Sequence, residues 1–259
     1  MKNPKRLQRL ATGITVRQDF RDCARMVFYD TGNSHWRYAT HGGTAFVVVF
    51  RGRPYAFTCN HVLKNFEWRQ LVITNTKVGR KIAGLQSVAY PTQPHHAAED
   101  TDIVDLVVIE FAPDVTATFF KDTAYILDSS TATTSQLGDQ LYVAGALKEK
   151  VNMGEGIRPG FCCIEFVDSG ADSFDPTLRN AQAAYANPEF SSITGLSGAP
   201  VYNARANALC GMVVRGSMNG SVCAIRYFDI LDMMQLLTGV HDGQSKTFYR
   251  KSWRPLRRL

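Results

Sequence analysis

Short apolar runs separated by turn-forming residues dominate the chain, and this pattern predicts a β-rich protein. Two of these runs, 44–50 and 55–59, are joined by Arg-Gly-Arg-Pro, which is typical of a hairpin turn. Many short strands at this spacing favour a barrel or a sandwich. The predicted strands are 44–50, 55–59, 71–74, 81–90, 105–111, 138–145, 161–167, 181–186, 199–203, 208–216 and 221–228.

Two further features organise the chain. The Thr- and Ser-rich segment 128–135 is the best boundary between two β units. A helix is predicted near the C-terminal end, where Asp229 can cap an apolar face and Gly239 stops it. The predicted regions are a basic N-terminal extension (1–24), a first β unit (25–127), a second β unit (128–228), and the helix with a basic tail (229–259).

The net charge of +6 is concentrated at the two ends of the 259-residue chain. Residues 1–10 carry four basic side chains and residues 244–259 carry six, with no acidic residue in either segment. Without those ten positive charges the body of the chain has a net charge of −4. Because the body shows no basic stripe, the composition argues against nucleic-acid binding as the main function and leaves only the tails for such contacts.

The sequence also argues against membrane insertion and against a metal centre. No segment approaches the roughly 18 apolar residues needed to span a bilayer. The basic start is not followed by the apolar core of a signal peptide, so we expect a cytoplasmic protein. Cys59 and His61 lie close together, but no second pair has ligand spacing, so no metal or other cofactor is expected. The six cysteines are expected to be mostly buried thiols, although Cys210 and Cys223 could pair across a hairpin in an oxidising compartment.

The segment TGLSGAPVYN, residues 194–203, places Ser197 between Gly195 and Gly198. Glycine permits backbone conformations that are closed to other residues and allows another molecule to come close. Ser197 is therefore either a polar turn residue or a displayed nucleophile. This segment alone leaves both interpretations open.

A serine nucleophile needs a histidine base and a carboxylate that orients the base. His61 stands where the predicted strand 55–59 ends, although a lone histidine is more often structural. Asp105 directly precedes the strand LVVIEF, so its carboxylate would be held at the edge of a core. Asp102, three residues earlier, is the competing acid.

The segments GTAFVVVFRGRPYAFTCNHV, DLVVI, GDQLYVAG and GLSGAPV, in this order, resemble the trypsin-like (chymotrypsin-fold) serine peptidases. The resemblance covers roughly residues 40–230 and is greatest to compact bacterial members related to the HtrA proteases, without a PDZ domain. It implies an all-β, chymotrypsin-like fold of two six-stranded antiparallel β-barrels. The predicted C-terminal helix would follow them.

The resemblance implies a role for each matching residue. Ser197 would attack the scissile carbonyl, His61 would act as general base and then general acid, and Asp105 would fix the histidine tautomer. The backbone N–H groups of Gly195 and Ser197 would form the oxyanion hole. The expected activity is that of a serine endopeptidase acting on protein or peptide substrates through an acyl-enzyme.

The substrate-binding residues implied by the resemblance are Ser191 at the base of the primary pocket and the strand residues Val214, Arg215 and Gly216. Serine cannot neutralise a buried cation, so cleavage after small or medium apolar residues is expected, with acidic residues second and Lys or Arg poorly accepted.

The sequence departs from the family at three points, of which the first two agree with an intracellular protein and the third concerns control of the activity. Val62 stands where the secreted digestive relatives have a cysteine, and the disulfides beside the serine are missing. There is no basic cleavage site followed by Ile-Val-Gly-Gly, so activation by a freed N-terminus is doubtful. A regulatory protein partner or the tails would have to supply control. The alternative function is a catalytically silent trypsin-fold scaffold that binds a protein partner.

Overall fold

A computed structural model describes most of the chain. The described residues are 8–9, 15–16, 18–35, 37–40, 42–63, 67–77, 81–91, 105–131, 133–148, 160–173, 178–184, 192–216, 221–239 and 248–252.

Within the described residues, eighteen strands and three α-helices alternate with short 3₁₀ turns. The strands are β1 (Gln8–Arg9), β2 (Thr15–Val16), β3 (Ala24–Met26), β4 (Phe28–Asp30), β5 (Tyr38–Ala39), β6 (Thr44–Phe50), β7 (Arg53–Cys59), β8 (Leu71–Val72), β9 (Leu85–Pro91), β10 (Leu106–Phe111), β11 (Tyr125–Ile126), β12 (Gln140–Ala146), β13 (Phe161–Ala171), β14 (Leu178–Ala183), β15 (Pro200–Asn203), β16 (Ala208–Gly216), β17 (Ser221–Arg226) and β18 (Phe248–Ser252). The helices are α1 (Gln18–Cys23), α2 (Asn60–Leu63) and α3 (Tyr227–Gly239), and the 3₁₀ turns are Trp68–Gln70 and Ala117–Phe120.

The second β unit is a closed barrel with the strand order β12-β13-β14-β17-β16-β15, and all of its strand pairs are antiparallel. Its interior is filled by side chains from alternate strand positions, including Val143, Phe166, Val201 and Val213. Burial of this apolar face explains why short β-branched and aromatic runs form strands here. Leu196, next to Ser197, belongs to the same buried cluster.

The first β unit is built on a seven-stranded sheet in the order β11-β6-β7-β10-β9-β18, with β3 also paired to β6. The three-stranded sheet β5-β4-β8 lies in the same part of the chain. This sheet has one strand more than the expected barrel, and β11 runs parallel to β6. The seventh strand is β18, which comes from the segment assigned to the basic tail and pairs with β9.

The architecture confirms the predicted fold class, an all-β chymotrypsin-like fold with two β units and a C-terminal helix. The helix α3 contacts β16 and β17 of the closed barrel. One hydrophobic cluster joins the units, since Phe46 and Phe57 of the first belong to it together with Tyr202 and Met212 of the second. The two units therefore share a buried interface.

The possible disulfide between Cys210 and Cys223 does not form, because Cys210 is a free, buried thiol. The register of β16 and β17 gives the reason, since Cys223 lies opposite Arg215 and not opposite Cys210. Burial raises the pKa of the Cys210 thiol well above its ordinary value. In the described part of the chain, no helix is both long and apolar enough to cross a bilayer.

Candidate active site

Asp105 and His61 meet because β7 and β10 are antiparallel neighbours. Cys59 at the end of β7 lies opposite Leu106 at the start of β10. The residues just outside the pairing, His61 in α2 and Asp105, are therefore brought together from 44 positions apart in the sequence. The expectation that Asp105 sits immediately before an apolar strand agrees with the start of β10 at Leu106.

The Asp105 carboxylate holds His61 at two points. Its Oδ2 lies 2.5 Å from His61 Nδ1, and its Oδ1 accepts a hydrogen bond of 2.8 Å from the His61 backbone N–H. Because a carboxylate only accepts, this contact places the proton of a neutral imidazole on Nδ1 and leaves Nε2 as the basic nitrogen. The His61 side chain is 47% exposed and that of Asp105 is 18% exposed, so the imidazole is the more accessible of the two groups.

A hydrogen bond from a buried tyrosine holds the backbone of α2. The phenol of Tyr29 donates a 2.5 Å hydrogen bond to the carbonyl of Val62, the residue after His61. Tyr29 itself is buried, and burial raises the pKa of its phenol well above the ordinary value. The phenol therefore stays a neutral donor.

The loop that carries Ser197 needs both of its glycines. Gly195 has φ +108° and Gly198 has φ +83°, in the region that side chains with a Cβ rarely adopt. A Cβ on Gly195 would lie 2.3 Å from the Ala146 carbonyl oxygen, and one on Gly198 would lie 1.9 Å from the Thr44 carbonyl oxygen. Backbone packed closely on both sides of Ser197 therefore requires glycine at 195 and at 198.

The peptide between Thr194 and Gly195 is oriented by Lys148, two residues after the end of β12. The Thr194 carbonyl accepts a 2.9 Å hydrogen bond from the backbone N–H of Lys148. In a trans peptide the C=O and N–H point in opposite directions, so the Gly195 N–H points away from Lys148. Among the described contacts the N–H groups of Gly195 and Ser197 have no acceptor, which leaves both available to an incoming oxyanion.

Thr44, at the start of β6, holds this loop against the first β unit, and sequence reasoning missed it. Its backbone N–H donates to the Ser197 carbonyl at 2.8 Å. Its hydroxyl donates to the Gly195 carbonyl at 2.8 Å and accepts from the Ala146 N–H at 3.0 Å. Thr44 is fully buried, so each of these bonds is protected from water. The only sequence signal was a polar residue at the first position of an otherwise apolar strand.

Strand β7, which leads into His61, and the loop that carries Ser197 meet at the carbonyl of Val213. This oxygen accepts a 2.7 Å hydrogen bond from the Gly198 N–H and a 3.3 Å bond from the Cys59 thiol. The residue after Ser197 and the residue two before His61 therefore share one acceptor. Within the described residues, no hydrogen bond joins the Ser197 hydroxyl to His61, a contact that often tightens only when substrate binds.

One group of side chains at the site has the donor chemistry of a metal site. Ligand atoms of Cys59, His61 and Asp105 all lie within 4.8 Å of one another. The sequence showed the nearness of Cys59 and His61 but not the third donor, because Asp105 arrives through strand pairing.

Three of the four residues predicted to bind substrate lie at the end of β16. Val214 is buried, whereas Arg215 and Gly216 are exposed at the end of the strand. The Arg215 guanidinium forms an ion pair with Asp172 at 3.5 Å, so part of its charge is already compensated. Ser191 and the competing acid Asp102 lie outside the described residues.

Because Gly216 has no side chain, the side chain of Ile193 packs directly against its backbone. A Cβ at this position would lie 2.6 Å from Cδ1 of Ile193, which belongs to the segment leading into the Ser197 loop. Ile193 therefore already fills part of the space beside Gly216.

Two solved structures are similar to this chain over most of its length. A human heparin-binding protein aligns with a TM-score of 0.59 and 12% identity, covering 88% of this chain and 94% of that protein. A scabies mite inactivated protease paralogue, S-D1, aligns with a TM-score of 0.55 and 11% identity, covering 84% and 92% respectively. Both similarities lie in the chymotrypsin-fold class.

The chain has a trypsin-like fold. No protein-family model and no curated protein matches the sequence. At these identities the similarity establishes the fold alone, and the trypsin-like fold of an inactivated paralogue shows that this architecture also occurs without catalysis. The relationship to the HtrA proteases stays a prediction.

Proposed function

We propose that this protein is a serine endopeptidase that hydrolyses peptide bonds through Ser197, His61 and Asp105. The observation that carries the proposal is the two-point hold of His61 by Asp105, with 2.8 Å to the backbone N–H and 2.5 Å to Nδ1. A histidine that only fills a loop does not need its ring tautomer fixed by a carboxylate while its side chain stays half exposed. Trypsin-like folds place such a pair opposite a serine loop of the kind seen at Ser197.

The proposed reaction begins when His61 Nε2 takes the proton of the Ser197 hydroxyl as that oxygen attacks the scissile carbonyl. The imidazolium formed is stabilised by the Asp105 carboxylate, which keeps its hold on Nδ1. The negative oxygen of the tetrahedral intermediate accepts hydrogen bonds from the N–H groups of Gly195 and Ser197. His61 then gives its proton to the leaving amine, and the acyl-enzyme is hydrolysed by water with the same base.

The second candidate is a catalytically silent scaffold that binds a protein partner. It is favoured by one observation at the site and by one comparison. The Ser197 hydroxyl lacks a hydrogen bond to His61 within the described residues, and one structural neighbour is an inactivated protease paralogue. The oriented Gly195 N–H and the His61–Asp105 pair support the peptidase in preference to this alternative.

A fluorophosphonate probe separates the two candidates. Covalent labelling requires a serine oxygen that is activated by a base, and it forms a phosphonyl adduct while fluoride leaves. We expect wild-type protein to be labelled and Ser197→Ala to remain unlabelled. Ser192→Ala, a half-buried serine in the same loop, is the matched control and should label like wild type. Absence of labelling in folded wild-type protein would support the scaffold instead.

Cleavage after Lys or Arg is expected to be poor. The pocket base implied by the resemblance is Ser191, which carries no charge, and an uncompensated buried cation costs a few kcal/mol. We therefore expect kcat/KM for peptides with Lys or Arg before the scissile bond to be lower by about 100-fold or more than for Ala or Val. The measurement compares peptides that differ only at that residue. A preference for arginine would refute the pocket assignment and leave the triad assignment intact.

Removing the Thr44 hydroxyl is expected to slow catalysis more than it weakens substrate binding. Thr44→Val leaves the Gly195 carbonyl and the Ala146 N–H without their buried partner, so the oxyanion loop loses its fixed position. Because small misplacements at the reacting centre are costly, we expect kcat to fall about 10- to 100-fold with KM little changed. Thr44→Ser keeps the hydroxyl and should restore kcat. Equal losses in the two variants would assign the effect to packing.

A further inference from the structure

We propose that Cys59, His61 and Asp105 form an inhibitory site for a thiophilic divalent cation, with Zn²⁺ as the representative ion. The inhibition part of this proposal rests on the proposed peptidase function, whereas the binding part does not. The three side chains supply a sulfur, an imidazole nitrogen and a carboxylate oxygen, all within 4.8 Å of one another. This mixed donor set is one that zinc binds in proteins.

The three donors differ in how deeply they lie. Cys59 is fully buried at the end of β7, while the His61 and Asp105 side chains are 47% and 18% exposed. An ion would therefore approach from the solvent side, over His61 and Asp105, and meet the thiol at the inner end of the site. That open side leaves a fourth position for a water molecule, as a tetrahedral ion with three protein ligands requires.

The geometry requires only small movements. Zinc lies about 2.0 to 2.3 Å from its ligand atoms, so two ligands of one tetrahedral ion are about 3.3 to 3.8 Å apart. His61 Nδ1 and Asp105 Oδ2, now 2.5 Å apart, would separate by about 1 Å. The Cys59 sulfur would give up its 3.3 Å hydrogen bond to the Val213 carbonyl and its 3.9 Å contact with the Val214 carbonyl.

The charges and protons balance. The Cys59 thiol releases its proton to solvent and becomes a thiolate, so the site contributes two negative charges to an ion of charge +2. A neutral assembly is the form that a partly buried location accepts most readily. The proton on His61 Nδ1 moves to Nε2 when Nδ1 binds the ion, and no bond other than the S–H and N–H bonds is broken.

This proton shift explains inhibition. With a proton on Nε2, His61 has no free electron pair to accept the proton of the Ser197 hydroxyl. Asp105 is at the same time occupied by the ion and no longer orients the ring for catalysis. Removal of the ion by a chelator would restore the original tautomer and hence the activity.

Direct binding is tested first, in the Ser197→Ala protein, so that the result does not depend on activity. We expect Zn²⁺ to bind with about one ion per chain, and Co²⁺ in its place to show a thiolate-to-cobalt charge-transfer absorption. Cys59→Ala and Cys59→Ser in the same background should lose that absorption and bind Zn²⁺ at least about 10- to 100-fold more weakly, since even loss of an outer partner of a ligand costs that much. Cys59→Ser keeps a hydrogen-bond donor for the Val213 carbonyl, which guards against a folding defect. Cys163→Ala, which removes a half-buried thiol of β13, should behave like the parent protein.

Inhibition is tested second, in proteins that retain Ser197. We expect Zn²⁺ to inhibit wild-type peptide hydrolysis and a chelator to reverse the inhibition, whereas for Cys59→Ala the ratio of the rates with and without Zn²⁺ should stay near one, whatever its metal-free rate. Zinc binding that is equally strong without the Cys59 sulfur would overturn the site. Normal binding in the Ser197→Ala protein together with uninhibited wild-type activity would overturn the regulatory role alone. If wild type hydrolyses no peptide at all, the peptidase proposal fails, and the binding measurements still decide the metal site.

Discussion

Replacing His61 with alanine is expected to lower kcat by about six orders of magnitude. Loss of the histidine or of the serine in such a triad costs about as much as loss of all three residues, because they act as one unit. The structure gives His61 the contacts this role needs, with Nδ1 held by Asp105 and the side chain 47% exposed. The measurement is steady-state hydrolysis of a peptide substrate with a sensitive fluorescent leaving group.

Two comparisons make this result specific. His35→Ala changes an exposed histidine in a surface turn, and its activity should equal that of wild type. The double variant His61→Ala/Ser197→Ala should be no slower than either single variant, because the second change removes a group that can no longer act. Additive losses would mean that the two residues contribute separately and would contradict the triad.

Much of this site was predictable from the sequence because its residues lie at the ends of strands. Asp105 directly precedes an apolar run in the sequence, and β10 begins at the next residue. The glycines around Ser197 signalled an unusual backbone, and both have positive φ values. Local patterns of this kind predict strand ends and unusual backbone angles because both depend mainly on neighbouring residues in the chain.

Other features depend on contacts between distant segments, which local patterns of residues do not predict. Thr44 reaches the Ser197 loop from a strand that begins 151 positions before Gly195, through hydrogen bonds that no periodicity encodes. The charges around β18 are typical of solvated segments and predict a basic tail, yet the backbone of this strand forms the edge of the first sheet beside β9. Cys59 and His61 are two positions apart in the sequence. The third donor of the proposed metal site, Asp105, lies beside them only because of the register of β7 and β10.

Replacing Asp105 with asparagine is expected to lower turnover by about three to four orders of magnitude while the fold stays intact. The Oδ1 atom of an asparagine could still accept the 2.8 Å bond from the His61 backbone N–H. Its amide NH₂ group would then face His61 Nδ1, in place of the Oδ2 atom now 2.5 Å away. Because that group donates, Nδ1 would have to accept, and the imidazole proton would move to Nε2.

The histidine of Asp105→Asn is therefore held in place with the wrong tautomer, which separates tautomer control from simple positioning. The measurement compares kcat for wild type, Asp105→Asn and Asp102→Asn, together with the thermal midpoint of unfolding for each protein. Asp102→Asn should matter far less, because in the structure it is Asp105 that contacts both the ring and the backbone of His61. The reverse ranking would assign the catalytic acid to Asp102. A thermal midpoint that fell sharply in Asp105→Asn would instead mean that the carboxylate mainly stabilises the end of β7, and its contact with His61 would then be structural.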